Sequence, residues 1–186
     1  PRQLDAWYFG RTKVGLVNCP GYLGQRSLDR LRAWVRAGGY LFTTDWSALV
    51  VERAFFGHIQ SLGKTHQDWV AVAPVEEHKG DPLLEDVFTR LDGAPHWWLE
   101  SGSFAIKVLK PEAVTVLIAS REMELKYGYG TIATVFDVEK GRVLHVASHF
   151  DQASGDAKAH FSMSQLIVNY VLAAKKAANA RAAEKK

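Results

Sequence analysis

The pattern of apolar and polar positions in the first quarter of the chain predicts a strand, a helix and a second strand. Between residues 27 and 37, apolar side chains recur at spacings of three and four and charged side chains fill the other face, which is typical of an amphipathic helix. Its apolar positions are Leu28, Leu31, Trp34 and Val35. Ser27 is the predicted N-cap and Gly38 the predicted C′ residue. The flanking apolar runs 14–17 and 40–44 predict two parallel strands.

Further along the chain, short apolar runs predict strands at 70–75, 104–109 and 114–119. Residues 131–138 and 142–148 are two more such runs, and Glu139-Lys140-Gly141 between them predicts a β-hairpin. The early strands are apolar throughout rather than alternating, which predicts helices on both faces of the sheet. The pattern therefore indicates an α/β fold.

Composition sets the outer limits. The chain has 186 residues, 47% hydrophobic and 23% charged, which fits one globular domain with its own core. No apolar run approaches the roughly 20 residues that span a bilayer, and the start is not a signal peptide. The single cysteine cannot form an internal disulfide, so we expect a reducing, cytoplasmic location. Because the chain begins at Pro1 rather than methionine, we expect it to be a piece of a longer protein.

The net charge of +3 comes from the end of the chain. Residues 173–186 carry five Lys or Arg and one Glu, so the rest has 18 basic and 19 acidic residues, a net charge of −1. We therefore divide the chain into one domain, 1–172, and a basic, Ala-rich helical tail, 173–186. The tail is a solvated helix end or a linker or nucleic-acid arm. With no nucleic-acid-binding motif elsewhere, we expect no nucleic-acid partner.

Four residues are candidates for chemistry. Asp45 ends a buried strand, at the sheet edge where open α/β folds place their sites. It would act as an acid, base or hard-cation ligand with a partner such as Asp151 or His149, or it would cap the following helix. His149 and Asp151 are about 6.6 Å apart along an extended chain, close enough to line one pocket. Cys19 is a nucleophile with His149 as base, or a small buried hydrophobe.

The remaining histidines and the aromatic residues bear on two other kinds of site, a metal site and a binding platform. The histidines at 58, 66, 78 and 96 lack tight ligand spacing, and His145 lies about 13 Å from His149 along an extended strand. We therefore predict no metal site and no cofactor. The aromatic residues Trp69, Trp97, Trp98, Tyr127 and Tyr129 form a sugar or peptide platform, or the Trp pair serves core packing or an interdomain contact.

The order KVGLVNCPG, LDRLRAWVRAGGYLFTTDW, DPLLEDV and GRVLHVASHFD resembles the class I glutamine amidotransferase-like superfamily, and more closely its ThuA-like branch. The resemblance covers roughly residues 13 to 172. It implies a three-layer, flavodoxin-like, doubly wound and mainly parallel sheet, here with a late β-hairpin. By position, Pro20-Gly21 falls on the family's oxyanion loop, His149-Phe150-Asp151 on its His-x-Glu pair, and Thr44-Asp45-Trp46 on its nucleophile elbow.

This sequence departs from the family at the elbow, where it has no cysteine. Asp45 cannot replace a thiolate in amide hydrolysis, because its anion is weakly nucleophilic and the acyl adduct would be an anhydride. We therefore expect a catalytically degenerate domain that binds a ligand or a protein partner within a larger assembly. Gly21, Tyr22 and Trp46 are its predicted ligand-binding residues. The alternative is a hydrolase that uses Cys19 or Asp45 with His149 and Asp151.

Overall fold

The computed structural model describes residues 13–18, 22–89, 92–149 and 156–184, and it contains the predicted β–α–β unit. Strand β1 is Val14–Val17, helix α1 is Gln25–Arg36 and strand β2 is Tyr40–Thr44. The two strands pair in parallel, with Val14 opposite Tyr40. Gly38 has φ +112°, a conformation that glycine adopts without strain, and it ends α1 at the predicted position. The helix begins before the predicted Ser27, however, and its N-cap is Gly24.

The remaining elements follow in chain order. After β2 come a 3₁₀ turn, Asp45–Ser47, and helix α2, Ala48–Ala54. The next strands are β3, Ile59–Lys64; β4, Asp68–Ala71; β5, Ala73–Pro74; β6, His96–Leu99; β7, Phe104–Val108; and β8, Val114–Ala119. Helix α3, Arg121–Tyr127, leads to the hairpin of β9, Thr131–Val138, and β10, Gly141–Val146, and then to α4, Ala157–Ala183.

The central sheet has the strand order β1-β2-β10-β9-β8-β5. Strand β10 pairs in parallel with β2 and antiparallel with β9, and the pairs β9–β8 and β8–β5 are also antiparallel. Four of these six strands, β1, β2, β10 and β8, consequently run in the same direction. Strand β10 of the predicted hairpin is thus the third strand of the parallel part of the sheet, after β1 and β2.

Helices cover the sheet on both sides, which confirms the three-layer α/β class. On one side, α1 and α2 pack on Leu41 and Val143 through an apolar cluster that includes Trp34. On the other side, α4 packs on Phe42 and Leu144. Successive residues of β2 and β10 thus face opposite layers, as the pleat of a strand requires.

Two small sheets lie outside the central one. Strand β3 pairs antiparallel with β7, and β4 pairs antiparallel with β6. The predicted strand 70–75 is in fact two strands, because β4 joins β6 whereas β5 joins the edge strand β8. The dipeptide Trp97-Trp98 lies in β6, where Trp97 is fully buried and its indole N–H donates to Ser162 Oγ at 2.9 Å. Trp97 therefore belongs to the core.

Helix α4 is continuous through residue 172, where the sequence suggested a boundary. The Tyr170 hydroxyl lies 3.0 Å from the carbonyl oxygen of Leu41 and 2.8 Å from that of Arg142. Arg181 donates to the carbonyls of Gly38 and Lys140, both at 3.0 Å. The described residues include no helix that is long and apolar enough to cross a membrane.

Candidate functional site

The turn after β2 places Asp45 at the carboxyl edge of the parallel strands. Asp45 is 1% exposed and has φ +50°, the left-handed region that few residues other than glycine enter. A strained residue between a strand and a helix is also the geometry of a nucleophile elbow. Beside it, the Thr44 hydroxyl bonds to the Asn18 side chain at the end of β1. The backbone therefore holds Asp45 in a left-handed conformation between β2 and the 3₁₀ turn that leads into α2.

The connection between β6 and β7 supplies two partners for Asp45. Residues 100–103 form a tight turn in which Ser103 N–H donates to Glu100 O at 3.0 Å and Gly102 has φ +90°. Thr65 closes this turn, because its N–H donates to Ser103 O at 2.7 Å and its hydroxyl donates to Glu100 O at 3.2 Å. The Ser103 hydroxyl then donates to Oδ1 of Asp45. Glu100 also makes a side-chain hydrogen bond with Asp45.

The segment after β10 brings His149 to the same place. Its backbone N–H donates to Trp98 O at 3.2 Å, and the Ser148 hydroxyl donates to the same carbonyl at 2.7 Å. These two bonds fix the segment against the end of β6. The His149 ring then points Nδ1 at two carboxylates, 3.1 Å from Oδ2 of Asp45 and 3.0 Å from Oε2 of Glu100.

The site is largely buried and electrostatically crowded. The His149 side chain is 12% exposed and the Asp45 side chain 0%, whereas that of Glu100 is 30% exposed. Partial burial raises the pKa of the Glu100 carboxyl, and its hydrogen bond to Asp45 raises it further, while the charge of His149 opposes both effects.

The structure brings together only some of the residues singled out from the sequence. Asp45 and His149 meet, which supplies the partner that the acid–base and cation-ligand interpretations of Asp45 require. Trp46 is 39% exposed and its ring lies over Gly102, while Tyr22 is 72% exposed under the Arg53 guanidinium. Cys19, Gly21 and Asp151 lie outside the described residues.

Sequence reasoning missed Glu100 and Ser103. The available signal was weak: an acidic residue directly follows the apolar run 97–99, and the turn-forming Ser101-Gly102 comes next. Nothing in that pattern says which other segment the turn approaches. His145 is fully buried, and its Nδ1 lies 2.9 Å from the Thr43 hydroxyl.

Comparisons with solved structures identify the fold. The chain is similar to a ThuA-like protein from Bacteroides uniformis, with TM-score 0.65 and 12% identity over 92% of this chain and 75% of that one. It is also similar to a GMP synthase protein from Thermoplasma acidophilum, with TM-score 0.51 and 12% identity over 87% and 69% of the two chains. The domain therefore shares the fold of these two proteins.

Much larger proteins share this fold as well. A cold-adapted β-galactosidase from Rahnella matches 83% of this chain with TM-score 0.57 and 18% identity. The match covers 22% of the β-galactosidase, so the chain spans about a fifth of that protein's length. No protein-family model and no curated protein matches the sequence. At these identities the similarity shows the fold alone.

Proposed function

We propose that this chain is an amidotransferase-like domain without glutaminase activity that acts as a binding module of a larger protein. The observation that carries this proposal is that both carboxylate oxygens of Asp45, at the elbow, have partners. One carboxylate oxygen accepts a hydrogen bond from Ser103 and the other faces His149 at 3.1 Å. A carboxylate that is buried and engaged on both oxygens is poorly placed to attack an amide carbonyl, and its acyl adduct would be a reactive anhydride.

The second part of the proposal, a role within a larger protein, rests on the comparisons. This fold makes up about a fifth of a β-galactosidase chain, where most of the protein is something else. Trp46 in the elbow and Tyr22 beside Arg53 are both exposed, and they offer aromatic surface for a ligand such as a sugar, or for a partner protein. We assign the ligand role to these two residues and to Gly21.

An assay of glutamine hydrolysis tests the first part. We expect no glutamate release above the uncatalysed background from the wild-type chain, and no change in Asp45→Asn or His149→Ala. Circular dichroism and thermal unfolding would establish that each variant is folded. Glutamate release by the wild-type chain that is lost in folded His149→Ala would contradict the proposal.

An NMR titration with galactose and lactose tests the ligand role. If Trp46 contacts the sugar, the indole N–H signal of Trp46 shifts with saturation, and Trp46→Ala abolishes the response. Trp97 serves as the internal control, because its indole N–H is buried against Ser162 and should not respond. Shifts of equal size at both indoles would indicate a general change of structure, and no shift at millimolar sugar would exclude these sugars as ligands.

The hydrolase alternative keeps one specific observation in its favour. Asp45 and Glu100 both lie within hydrogen-bond distance of Nδ1 of His149, as the carboxylate that orients the imidazole does in a hydrolase triad. A panel of p-nitrophenyl esters tests it. Turnover that is lost in both Asp45→Asn and His149→Ala, with folding preserved, would favour the hydrolase over the binding module.

A further inference from the structure

We propose that Asp45, Glu100 and His149 form a binding site for one divalent transition-metal ion, of the type that Zn²⁺ or Mn²⁺ occupies. This inference goes beyond the proposed function, since a binding module needs no metal. It also departs from the sequence, which predicted no metal site. Each of the three residues offers one ligand atom, and these atoms all lie within 4.8 Å of one another.

The distances from His149 to the two carboxylates match those between ligands around a shared ion. Zinc binds nitrogen and carboxylate oxygen at about 2.0–2.2 Å, so two ligand atoms at angles of roughly 90–110° lie about 3.0–3.5 Å apart. Nδ1 of His149 is 3.1 Å from Oδ2 of Asp45 and 3.0 Å from Oε2 of Glu100. Small movements of these side chains would let all three atoms reach one ion.

The choice of ligand atoms limits the kind of ion. Imidazole nitrogen suits Zn²⁺ and Fe²⁺, and carboxylate oxygen suits Mn²⁺ and Mg²⁺. One imidazole with two carboxylates therefore favours a first-row transition ion over Mg²⁺, which binds few protein ligands and keeps its waters. Three protein ligands also leave a position for water or a small ligand, as in zinc sites that do chemistry.

The surroundings of the cluster support the same conclusion. The three ligands come from three separate segments, and each segment is fixed by its own hydrogen bonds. Ser103 donates to Oδ1 of Asp45, which orients the carboxylate and leaves Oδ2 towards His149. Such outer hydrogen bonds are common around metal-binding carboxylates. A divalent cation would also add positive charge beside the Asp45 and Glu100 carboxyl groups, which are in hydrogen-bond contact with each other.

Calorimetric titration of Zn²⁺ and Mn²⁺ into the EDTA-treated chain, with Mg²⁺ for comparison, tests the proposal. We expect one equivalent of Zn²⁺ or Mn²⁺ to bind at least about 10-fold more tightly than Mg²⁺, and each of Asp45→Asn, Glu100→Gln and His149→Gln to weaken binding by at least about 10-fold. The matched controls are His66→Gln and Glu77→Gln, which remove an exposed imidazole and an exposed carboxylate elsewhere. Both controls should bind like the wild-type chain.

Glu100→Gln is the decisive variant if the other two fail to fold, because Glu100 is the most exposed of the three ligands. A second measurement uses Co²⁺ as the probe, whose visible absorption reports its coordination directly. Failure of the wild-type chain to bind one equivalent, or binding that Glu100→Gln leaves unchanged, would overturn the metal site. Neither result would bear on the proposed lack of glutaminase activity, which the glutamine assay tests separately.

Discussion

Oδ2 of Asp45 lies 3.1 Å from Nδ1 of His149, although 104 residues separate them along the chain. The contact exists because β2 and β10 are parallel neighbours, so that their carboxyl ends reach the same edge of the sheet. The turn that carries Glu100 and Ser103 connects β6 to β7, and these strands belong to the two small, two-stranded sheets. The site thus depends on how the small sheets pack on the central one.

Removing Trp34 should destabilise the domain strongly. Its side chain is 7% exposed within the α1 layer, so we expect Trp34→Ala to lower the free energy of unfolding by about 3–5 kcal/mol. Urea denaturation measures this loss. Phe56→Ala is the control, because Phe56 is 86% exposed and its truncation should change stability little. Equal midpoints for the wild type and Trp34→Ala would show that this helix face is not buried in solution.

A methyl group at Gly141 should be poorly tolerated. At the start of β10, a Cβ on Gly141 would overlap the carbonyl oxygens of Gly39 and Val35, and both are backbone atoms that cannot swing away. We expect Gly141→Ala to cost more than about 2 kcal/mol, since β10 or α1 must shift. Gly80→Ala is the matched control, because no atom lies within 4 Å of its Cβ position. Equal melting temperatures for Gly141→Ala and Gly80→Ala would show that α1 and β10 do not approach each other this closely.

Acid should destabilise the fold partly through His145. Complete burial lowers the pKa of His145 from its usual 6.5 to about 3. As the pH falls below 6.5, the histidine is protonated in the unfolded chain but stays neutral in the folded chain. The contribution of neutral His145 to the stability of the fold is therefore fully present above pH 6.5 and is lost as the pH falls towards 3. We expect the loss to approach about 1.4 kcal/mol for each pH unit below about 6.

The variant His145→Gln isolates this effect. Urea denaturation across a series from neutral to acidic pH should show a smaller loss of stability with acid in His145→Gln than in the wild type, even if the variant is less stable throughout. The carboxyl groups common to both proteins cancel in this comparison. Parallel curves for the two proteins would mean that His145 is protonated in the folded state or is accessible to solvent.

The single thiol should be dispensable if the domain is not an enzyme. We expect Cys19→Ser to leave ligand binding and any biological activity nearly unchanged, because the substitution removes only packing and thiolate chemistry. The measurement is the sugar titration, together with ester turnover, for the wild type, Cys19→Ser and His149→Ala. Turnover that disappears in both folded variants would identify a Cys–His hydrolase instead.

The sequence by itself determined the elements whose information is local. The spacing of Leu28, Leu31 and Trp34 predicted α1, and two apolar runs with a short polar connection predicted the hairpin of β9 and β10. Gly38 marked the end of α1 because its backbone needs a positive φ. Helix periodicity and turn-forming residues extend over only a few positions, so they can be recognised in a short segment without knowledge of the rest of the chain.

The sequence also placed Asp45 and His149 at strand ends, and the edge rule for α/β sheets linked them. The other two residues of the site, Glu100 and Ser103, were not predictable in this way. Glu100 and Ser103 reach Asp45 because the β6–β7 turn closes on Thr65 and the end of β6 binds the segment of His149. Only the tertiary structure decided these contacts, since they arise from packing between separate sheets, and no local periodicity encodes which surfaces meet.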